Sequence, residues 1–488
     1  MTLNININDI PDFLKLSELY DSLSKLGNES FEIPEQYYKN NLTITCFKDI
    51  LYYIKVFDYW MINYIPDEFY DWIYQNKDEI KIDLLNDQFP MNYLTKQIKD
   101  IISIPLSSQC DYFSCIGDLR LLKYTHKNGC SMNKKTCIDA ATNGHFDCLK
   151  YAHENGCLLD NLICYYAAKN GYLNCLKYAY ENGCSWITGE NICLSAAKNG
   201  HLDCLKYAHE NGCPWNKETI INAVIYGHLD CLKYAHENGC PYNEYICMYA
   251  AGNGHLDCLK YLHENGYIWD TRICSYTASN GHLECLKYAH ENGCEWNINT
   301  CNYAAENGHL ECLKYAHENG CPWDNYTCMY AASNGQLECL KYAHENGCEL
   351  IADTCISAAS RGHLNCLKYA HVNGCPWDIL VCINATKNKH LECLKYAHEN
   401  GCIWDESICE YAAINGNLEC LKYAHENGCK WNKLVCENAA KFGHLKCLKY
   451  AYENGCPWDK IIHHSTSNYI YPECLEYAKK CLKLEIPK

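Results

Sequence analysis

A nine-residue unit, Cys-Leu-Lys-Tyr-Ala-His-Glu-Asn-Gly, recurs almost unchanged along this chain. Its first cysteine advances by 27 residues from copy to copy, apart from a two-residue insertion near 187–190. A constant period of roughly 20 to 50 residues is typical of a solenoid, in which each unit contacts only its neighbours. Such a protein is normally a binding surface and rarely the site of a reaction. The first cysteines are Cys148, Cys175, Cys204, Cys231, Cys258, Cys285, Cys312, Cys339, Cys366, Cys393, Cys420, Cys447 and Cys474.

Composition narrows the class of partner. The net charge of −17 disfavours nucleic-acid binding, which needs basic residues to neutralise phosphates. No apolar stretch reaches the ~18 residues of a membrane span, and the N-terminus has no basic-then-apolar leader. The 40 cysteines follow the repeat, and we interpret them as reduced, buried, small hydrophobic residues. We therefore expect a monomeric cytoplasmic protein that binds neither nucleic acid nor membrane.

Each repeat predicts two short helices. In residues 322–348, numbered here as positions one to 27, Asp324 is placed to cap a helix over about 325–333. Asn334 and Gly335 tolerate the left-handed conformation that ends a helix. A second helix follows over 337–345, with Leu337, Leu340 and Ala343 predicted on its packed face.

The first helix varies between copies on one side only. Cysteine at position seven and alanines at ten and eleven recur, which predicts a packed face. Positions four, five, eight and twelve differ from copy to copy and share another arc, so we predict that this face binds partners. The candidate residues at positions five and eight are Glu218, Tyr245, Met248, Arg272, Ser275, Asn299, Asn302, Tyr326, Met329, Asp353, Ile356, Leu380, Ile383, Ser407, Glu410 and Glu437.

These motifs resemble ankyrin repeats. Residues 308–324, Gly-His-Leu-Glu-Cys-Leu-Lys-Tyr-Ala-His-Glu-Asn-Gly-Cys-Pro-Trp-Asp, align without gaps to the ankyrin pattern, and Ala304-Ala305 match its alanine pair. The resemblance covers residues 104–482 and implies an all-α solenoid of about fourteen units that binds proteins. Ankyrin units have about 33 residues, so these units lack the projecting β-turn finger between Asp324 and Cys328. Short units of this kind resemble those of giant DNA viruses of amoebae, which implies a location in the host-cell cytoplasm.

The two ends differ from the repeats. Residues 1–103 are not repetitive, and we expect a small N-terminal domain there, ahead of the repeats in 104–488. Its order of a strand ending in Ile33-Pro34 and then a helix resembles BTB/POZ domains, which recruit cullin ubiquitin ligases. Ile10-Pro11 resembles the start of an F-box, and a simple cap over the first repeat is a third interpretation. The last copy has His463-His464 in place of the usual first helix, as expected of a C-terminal cap.

The sequence suggests three chemical alternatives: a metal site, a ligand-binding row of tryptophans and an enzyme. Regular histidines and cysteines such as His282 and Cys285 could form a zinc array, but the histidine is replaced by Tyr172, Gln336 and Asn417 in other copies, so we expect no metal. The tryptophan at position two could form a ligand ladder, although packing between repeats is favoured. No P-loop, dinucleotide-binding or nucleophile-elbow motif occurs, so we expect no enzyme and no cofactor.

The sequence therefore predicts a protein–protein interaction scaffold that binds intracellular proteins through the variable face of its first helices. The alternative is a substrate receptor of a cullin-type ubiquitin ligase, recruited through residues 1–103.

Overall fold

The computed structural model describes residues 103–186, 192–269, 272–458 and 471–482. This part of the chain contains 27 helices and no strand, as the sequence predicted. Contacts divide the chain between Pro214 and Trp215 into two compact units. The first unit contains the helices α1 Leu106–Ile116, α2 Leu119–Lys127, α3 Lys134–Thr142, α4 Phe146–Glu154, α5 Leu162–Asn170, α6 Leu173–Glu181, α7 Ile192–Lys198 and α8 Leu202–Glu210.

The second unit continues the pattern of paired helices. Its helices are α9 Lys217–Ile225, α10 Leu229–Glu237, α11 Ile246–Gly252, α12 Leu256–Glu264, α13 Arg272–Ser279, α14 Leu283–Glu291, α15 Asn299–Glu306, α16 Leu310–Glu318, α17 Asn325–Ser333, α18 Leu337–Glu345, α19 Ala352–Arg361, α20 Leu364–Val372, α21 Ile379–Lys387, α22 Leu391–Glu399, α23 Ser407–Ile414, α24 Leu418–Glu426, α25 Lys433–Lys441, α26 Leu445–Glu453 and α27 Pro472–Leu482. Up to α26, odd numbers are first helices and even numbers are second helices.

The predicted helix boundaries of the repeat at 322–348 are confirmed. The Asp324 carboxylate accepts a hydrogen bond of 3.0 Å from the Tyr326 N–H, which satisfies one unpaired donor at the start of α17. Asn334 follows the last residue of α17, and its side-chain amide donates to the Tyr330 carbonyl at 3.1 Å. Gly335 then takes φ +75°, and α18 begins two residues later at Leu337.

Small residues form the core between the helices. In α17, Cys328, Ala331 and Ala332 are completely buried, which confirms the predicted packed face. Within each unit, consecutive first helices pack on each other more extensively than consecutive second helices do. The small side chains permit this close approach of the first helices.

The packed face of the second helix differs from the prediction at one residue. In α18, Cys339, Leu340 and Ala343 are buried, whereas Leu337 is only partly buried. Leu337 is the first residue of α18, so it lies at the edge of the packed face, and the cysteine two residues later fills the interior instead.

A glycine and a histidine of consecutive repeats are packed together. A Cβ atom on Gly254, at position 14, would lie 2.5 Å from Nδ1 of His282 at position 15 of the next repeat. The ring of His282 is hydrogen-bonded to the Gly252 carbonyl, and the equivalent His255 donates from Nε2 to the Ile225 carbonyl at 2.8 Å. The histidine therefore connects neighbouring repeats through a hydrogen bond to a backbone carbonyl. A residue of another type that can form such a bond can replace it.

One repeat departs from this glycine–histidine pair on both sides. Among the described residues, Lys389 is the one non-glycine with a positive φ, at 69°. The residue facing it from the next repeat is Asn417, where most repeats have the larger histidine. Asn417 retains a hydrogen bond from its Nδ2 to a carbonyl of the preceding repeat, that of Thr386. The repeat that has the additional Cβ atom of Lys389 is thus followed by a repeat with the smaller Asn417 side chain at the facing position.

The ends of the repeat region are only partly described. The helix α27 packs on α26 and buries Cys474, the last of the repeating cysteines. The predicted cap residues His463 and His464 lie outside the described residues. So does the possible ligase-binding region 1–103, apart from its last residue. The division between an N-terminal domain and the repeats therefore stays a prediction.

We expect Lys389→Gly to raise the free energy of unfolding by about 1 kcal/mol, because it removes a left-handed non-glycine residue. Asn417→His should destabilise the protein that has Lys389 and be tolerated in the Lys389→Gly protein, because only glycine leaves room for the ring. Chemical denaturation of the four proteins measures this coupling. Additive effects of the two substitutions would contradict the contact.

The stability should fall in mild acid. Burial lowers the pKa of His282, and the neighbouring His255 and His309 lower it further, against the opposing effect of its bond to the Gly252 carbonyl. The unfolded chain, with a histidine pKa of about 6.5, therefore binds protons more readily than the folded one. Stability is complete above pH ~6.5 and is lost as the pH falls below it.

Urea denaturation just above and about one unit below that pH should show this loss. His282→Gln should reduce it, since Gln336 occupies the same position in another repeat. Gln336→His is the reciprocal control and should enlarge the loss. An equal pH dependence in all three proteins would show that these histidines do not control it.

Candidate functional site

The residues predicted at position five lie on an accessible face of the first helices. Glu218, Arg272, Tyr326, Asp353 and Leu380 are exposed. The remaining predicted residues of this position, which are partly exposed, are Tyr245, Asn299 and Ser407. The guanidinium of Arg272 lies 5.3 Å from the ring centroid of Tyr245, so this face continues from one repeat to the next.

Position eight lies nearer to the neighbouring repeat. Ser275, Asn302 and Ile383 are more than nine-tenths buried, and the Thr327 hydroxyl donates to Oδ1 of Asn302 at 2.6 Å. These three residues pack between repeats and are therefore not part of the accessible face. The position-eight residues that remain partly exposed are Met248, Met329, Ile356, Glu410 and Glu437.

Tyrosines at position nine complete the accessible face. Tyr276 and Tyr303 are 48 % and 38 % exposed, and Tyr249 and Tyr330 occupy the same position in α11 and α17. Position nine lies one helical turn after position five, and the rings of Tyr326 and Tyr330 are 6.3 Å apart. Tyrosine recurs at position nine in four consecutive repeats, and this position was not among those predicted to bind partners. The signal that could have revealed it is tyrosine at a position where other repeats have serine or asparagine.

We define the tyrosine face as Tyr249, Tyr276, Tyr303, Tyr326 and Tyr330 on α11, α13, α15 and α17. Its side chains present large apolar rings with hydroxyl groups at their ends. Tyrosine is enriched in the residues that dominate protein–protein binding, because it combines apolar contact area with a hydrogen-bonding group.

A cavity lies beside the tyrosine face. Its volume is about 480 Å³, and Tyr245, Met248, Tyr267, Trp269 and Arg272 contribute to its lining. Tyr267 stands at position 27, where the other repeats of the second unit have cysteine, and its buried hydroxyl has no hydrogen-bond partner in the described structure. Burial raises the pKa of this hydroxyl well above its usual range, so it stays protonated. The cavity is therefore lined by aromatic and apolar side chains together with the charged Arg272 and Glu244.

The tryptophans pack between repeats, as the sequence favoured. Trp323 stacks on His317 of the preceding repeat with ring centroids 3.7 Å apart, and it meets Tyr342 edge-on at 6.2 Å. His317 Nδ1 also bonds to the Tyr342 hydroxyl at 3.2 Å. The same arrangement recurs around Trp296, Trp377, Trp404 and Trp431. Each of these indole rings contacts rings of two consecutive repeats, so the tryptophans stabilise the stack of repeats.

The cysteines and histidines are poorly placed for metal binding. Within the described ranges, no group of three or more His, Cys, Asp or Glu side chains could hold a metal ion. Burial raises the pKa of Cys285 and of Cys312 to about 11, so these thiols stay protonated at neutral pH. Metal binding requires the thiolate, so this protonation opposes it.

Family models match much of the region described above. A model of ankyrin repeats in three copies matches residues 193–272 and 274–354, and a model of ankyrin repeats in many copies matches 164–209 and 409–451. These segments are ankyrin repeats. Ankyrin repeats bind protein partners and are generally not enzymes. Among the helices that the structure describes, none is long and apolar enough to cross a membrane.

A solved ankyrin structure matches part of this chain. The crystal structure of the human ASB11 ankyrin repeat domain matches with 21 % identity and a TM-score of 0.29, covering 32 % of this chain and 84 % of that domain. No curated protein sequence matches the chain.

We expect Trp323→Ala to lower the free energy of unfolding by about 2 kcal/mol, because the contacts of the ring to both repeats are lost. The loss should be smaller than for a fully buried tryptophan, since Trp323 is only partly buried. Trp323→Leu should cost less, since Leu350 occupies the same position in the next ankyrin repeat. Denaturant unfolding followed by circular dichroism measures both values. If neither variant changed stability, the tryptophans would have no packing role.

Proposed function

We propose that this protein binds a protein partner of the host-cell cytoplasm through the first-helix face of its ankyrin repeats. The observation that carries the proposal is the tyrosine face, in which tyrosines at position nine of four consecutive repeats are exposed, as Tyr276 and Tyr303 are, or partly exposed, as Tyr249 and Tyr330 are. The same helices also carry the predicted position-five residues Arg272 and Asn299, which differ between repeats. A packed scaffold with a variable exposed face supports specific recognition of one partner among many.

The partner's contact surface follows from the chemistry of this face. The five tyrosine rings are uncharged, and their hydroxyls can donate or accept hydrogen bonds. We expect a partner segment that combines apolar side chains with backbone or side-chain hydrogen-bonding groups. The adjacent cavity, with Met248 and Trp269 in its wall, has room for an apolar side chain of that segment.

The double variant Tyr276→Ala/Tyr303→Ala tests the surface. Both residues are on the exposed face of their helices, so we expect little change in stability and a partner affinity at least ~10-fold lower. Affinity purification from host cells identifies partners, and titration of each purified partner measures the change.

Val372→Ala is the matched control, because Val372 is 77 % exposed but lies on a second helix, α20. Its affinity should equal that of the wild-type protein. Equal binding by the tyrosine variant and the wild type would refute the proposed surface.

The ubiquitin-ligase alternative depends on residues 1–103 alone. Affinity purification with and without these residues distinguishes the two functions. Ligase subunits recovered only with the full chain would identify a substrate receptor, and identical partners without ligase subunits would identify a scaffold. The resemblance of the 27-residue repeat to those of giant viruses makes amoebal host proteins the first preparation to use.

A further inference from the structure

Two cysteines of the same repeat lie against each other in most of the solenoid. The thiol of Cys274, at position seven, lies 3.2 Å from the thiol of Cys294, at position 27, and Cys409 and Cys429 are separated by the same distance. In other repeats the thiols at these positions are also close enough to affect each other's pKa, and in three of them the position-seven thiol donates to the position-27 carbonyl. The further pairs are Cys110–Cys130, Cys137–Cys157, Cys164–Cys184, Cys193–Cys213, Cys301–Cys321, Cys328–Cys348, Cys355–Cys375, Cys382–Cys402 and Cys436–Cys456.

The pairing follows from the fold of one repeat. Position seven lies on the packed face of the first helix, and position 27 follows the turn that ends the second helix. In the repeat at 403–429, the Cys429 N–H bonds to the Ala424 carbonyl at 2.9 Å, and its thiol donates to the Asp405 carbonyl at 3.2 Å. These bonds hold the position-27 thiol against the first helix of its own repeat.

We propose that these thiol pairs are modification sites at which a small-molecule disulfide, such as oxidised glutathione, forms a disulfide bond within the repeat. None of the described cysteines forms a disulfide in this structure. The distance of 3.2 Å between the two sulfur atoms must shorten to about 2.05 Å when the bond forms.

The two members of a pair have different roles. Cys429 is 5 % exposed and Cys409 is completely buried, so an oxidant reaches position 27 first. The hydrogen bond from the Cys409 thiol lowers the pKa of Cys429, although burial opposes this effect. The same bond and burial raise the pKa of Cys409 above its usual range. The thiolate, which is the nucleophile, therefore forms at position 27.

The reaction then proceeds in two exchanges. The Cys429 thiolate attacks one sulfur of the small-molecule disulfide and forms a mixed disulfide, and the other sulfur leaves and takes up a proton as a thiol. Cys409 loses its proton and attacks the sulfur of Cys429, releasing the second small thiol. The pair loses two electrons and two protons, and one small-molecule disulfide is reduced to two thiols.

The disulfide closes both helices of the repeat into one covalent ring. The linked residues are 20 positions apart in the sequence, so the bond restricts the unfolded chain. Oxidised protein should therefore unfold at a higher temperature than reduced protein, and treatment with a reducing agent should reverse the change.

Mapping the disulfides in the full chain tests the proposal. The folded protein is incubated with oxidised glutathione, and the excess reagent is removed. The protein is then unfolded at acidic pH, which exposes the buried thiols and slows disulfide exchange, the remaining thiols are alkylated with N-ethylmaleimide, and peptides are identified by mass spectrometry. We expect links within the pairs, including Cys409–Cys429. The position-18 cysteines, such as Cys420, should be alkylated. Cys240 should be alkylated too, because Ile220 occupies position seven of its repeat.

Two substitutions in one repeat supply matched variants. Cys429→Ser should abolish the link of that repeat and leave Cys409 alkylated, with every other link retained. Cys420→Ser, at position 18, should leave the Cys409–Cys429 link intact. The proposal is overturned if links form only when oxidised glutathione is added to denatured protein. It is also overturned if position-18 cysteines are linked as often as the pairs. Linkage of Cys409 to another cysteine with undiminished yield in the Cys429→Ser protein would overturn it as well.

Discussion

Close packing of consecutive first helices underlies the whole structure. Cysteine and two alanines, such as Cys328, Ala331 and Ala332, present a packed face with no large side chain. The helices can therefore approach closely enough to exclude water along the stack within each unit. Because these positions cannot change size without a cavity or a clash, variation between repeats is confined to the other side of the helix.

The same constraint explains how substitutions in one repeat are matched in the next. The position-14 glycine is required because a Cβ there would meet the position-15 side chain of the following repeat. Lys389 and Asn417 are both exceptions, and they face each other. Tyr267 is a comparable exception at position 27, and the cavity lies where this larger ring replaces a cysteine. In a solenoid a residue is constrained by its neighbour one repeat away more than by distant parts of the chain.

Much of the fold could be predicted from one repeat, because its signals are local. Asp324 marks the start of α17, Gly335 its end, and the boundaries agree with the prediction. The face of the first helix was harder to predict. Positions five and eight are three residues apart and share an arc of the isolated helix, yet Ser275 and Asn302 are buried by the next repeat. Tyr276 lies at position nine, which was not among the predicted positions, yet its ring is exposed.

The sequence by itself determined the period, the paired helices, the residues of the packed face and the negative net charge. These properties follow from spacing and composition, which do not depend on how the repeats are arranged in space. The tertiary structure alone decided which variable residues remain accessible and which cysteines touch. Both depend on contacts between residues about 20 or more positions apart, such as Cys409 and Cys429, which no local pattern specifies.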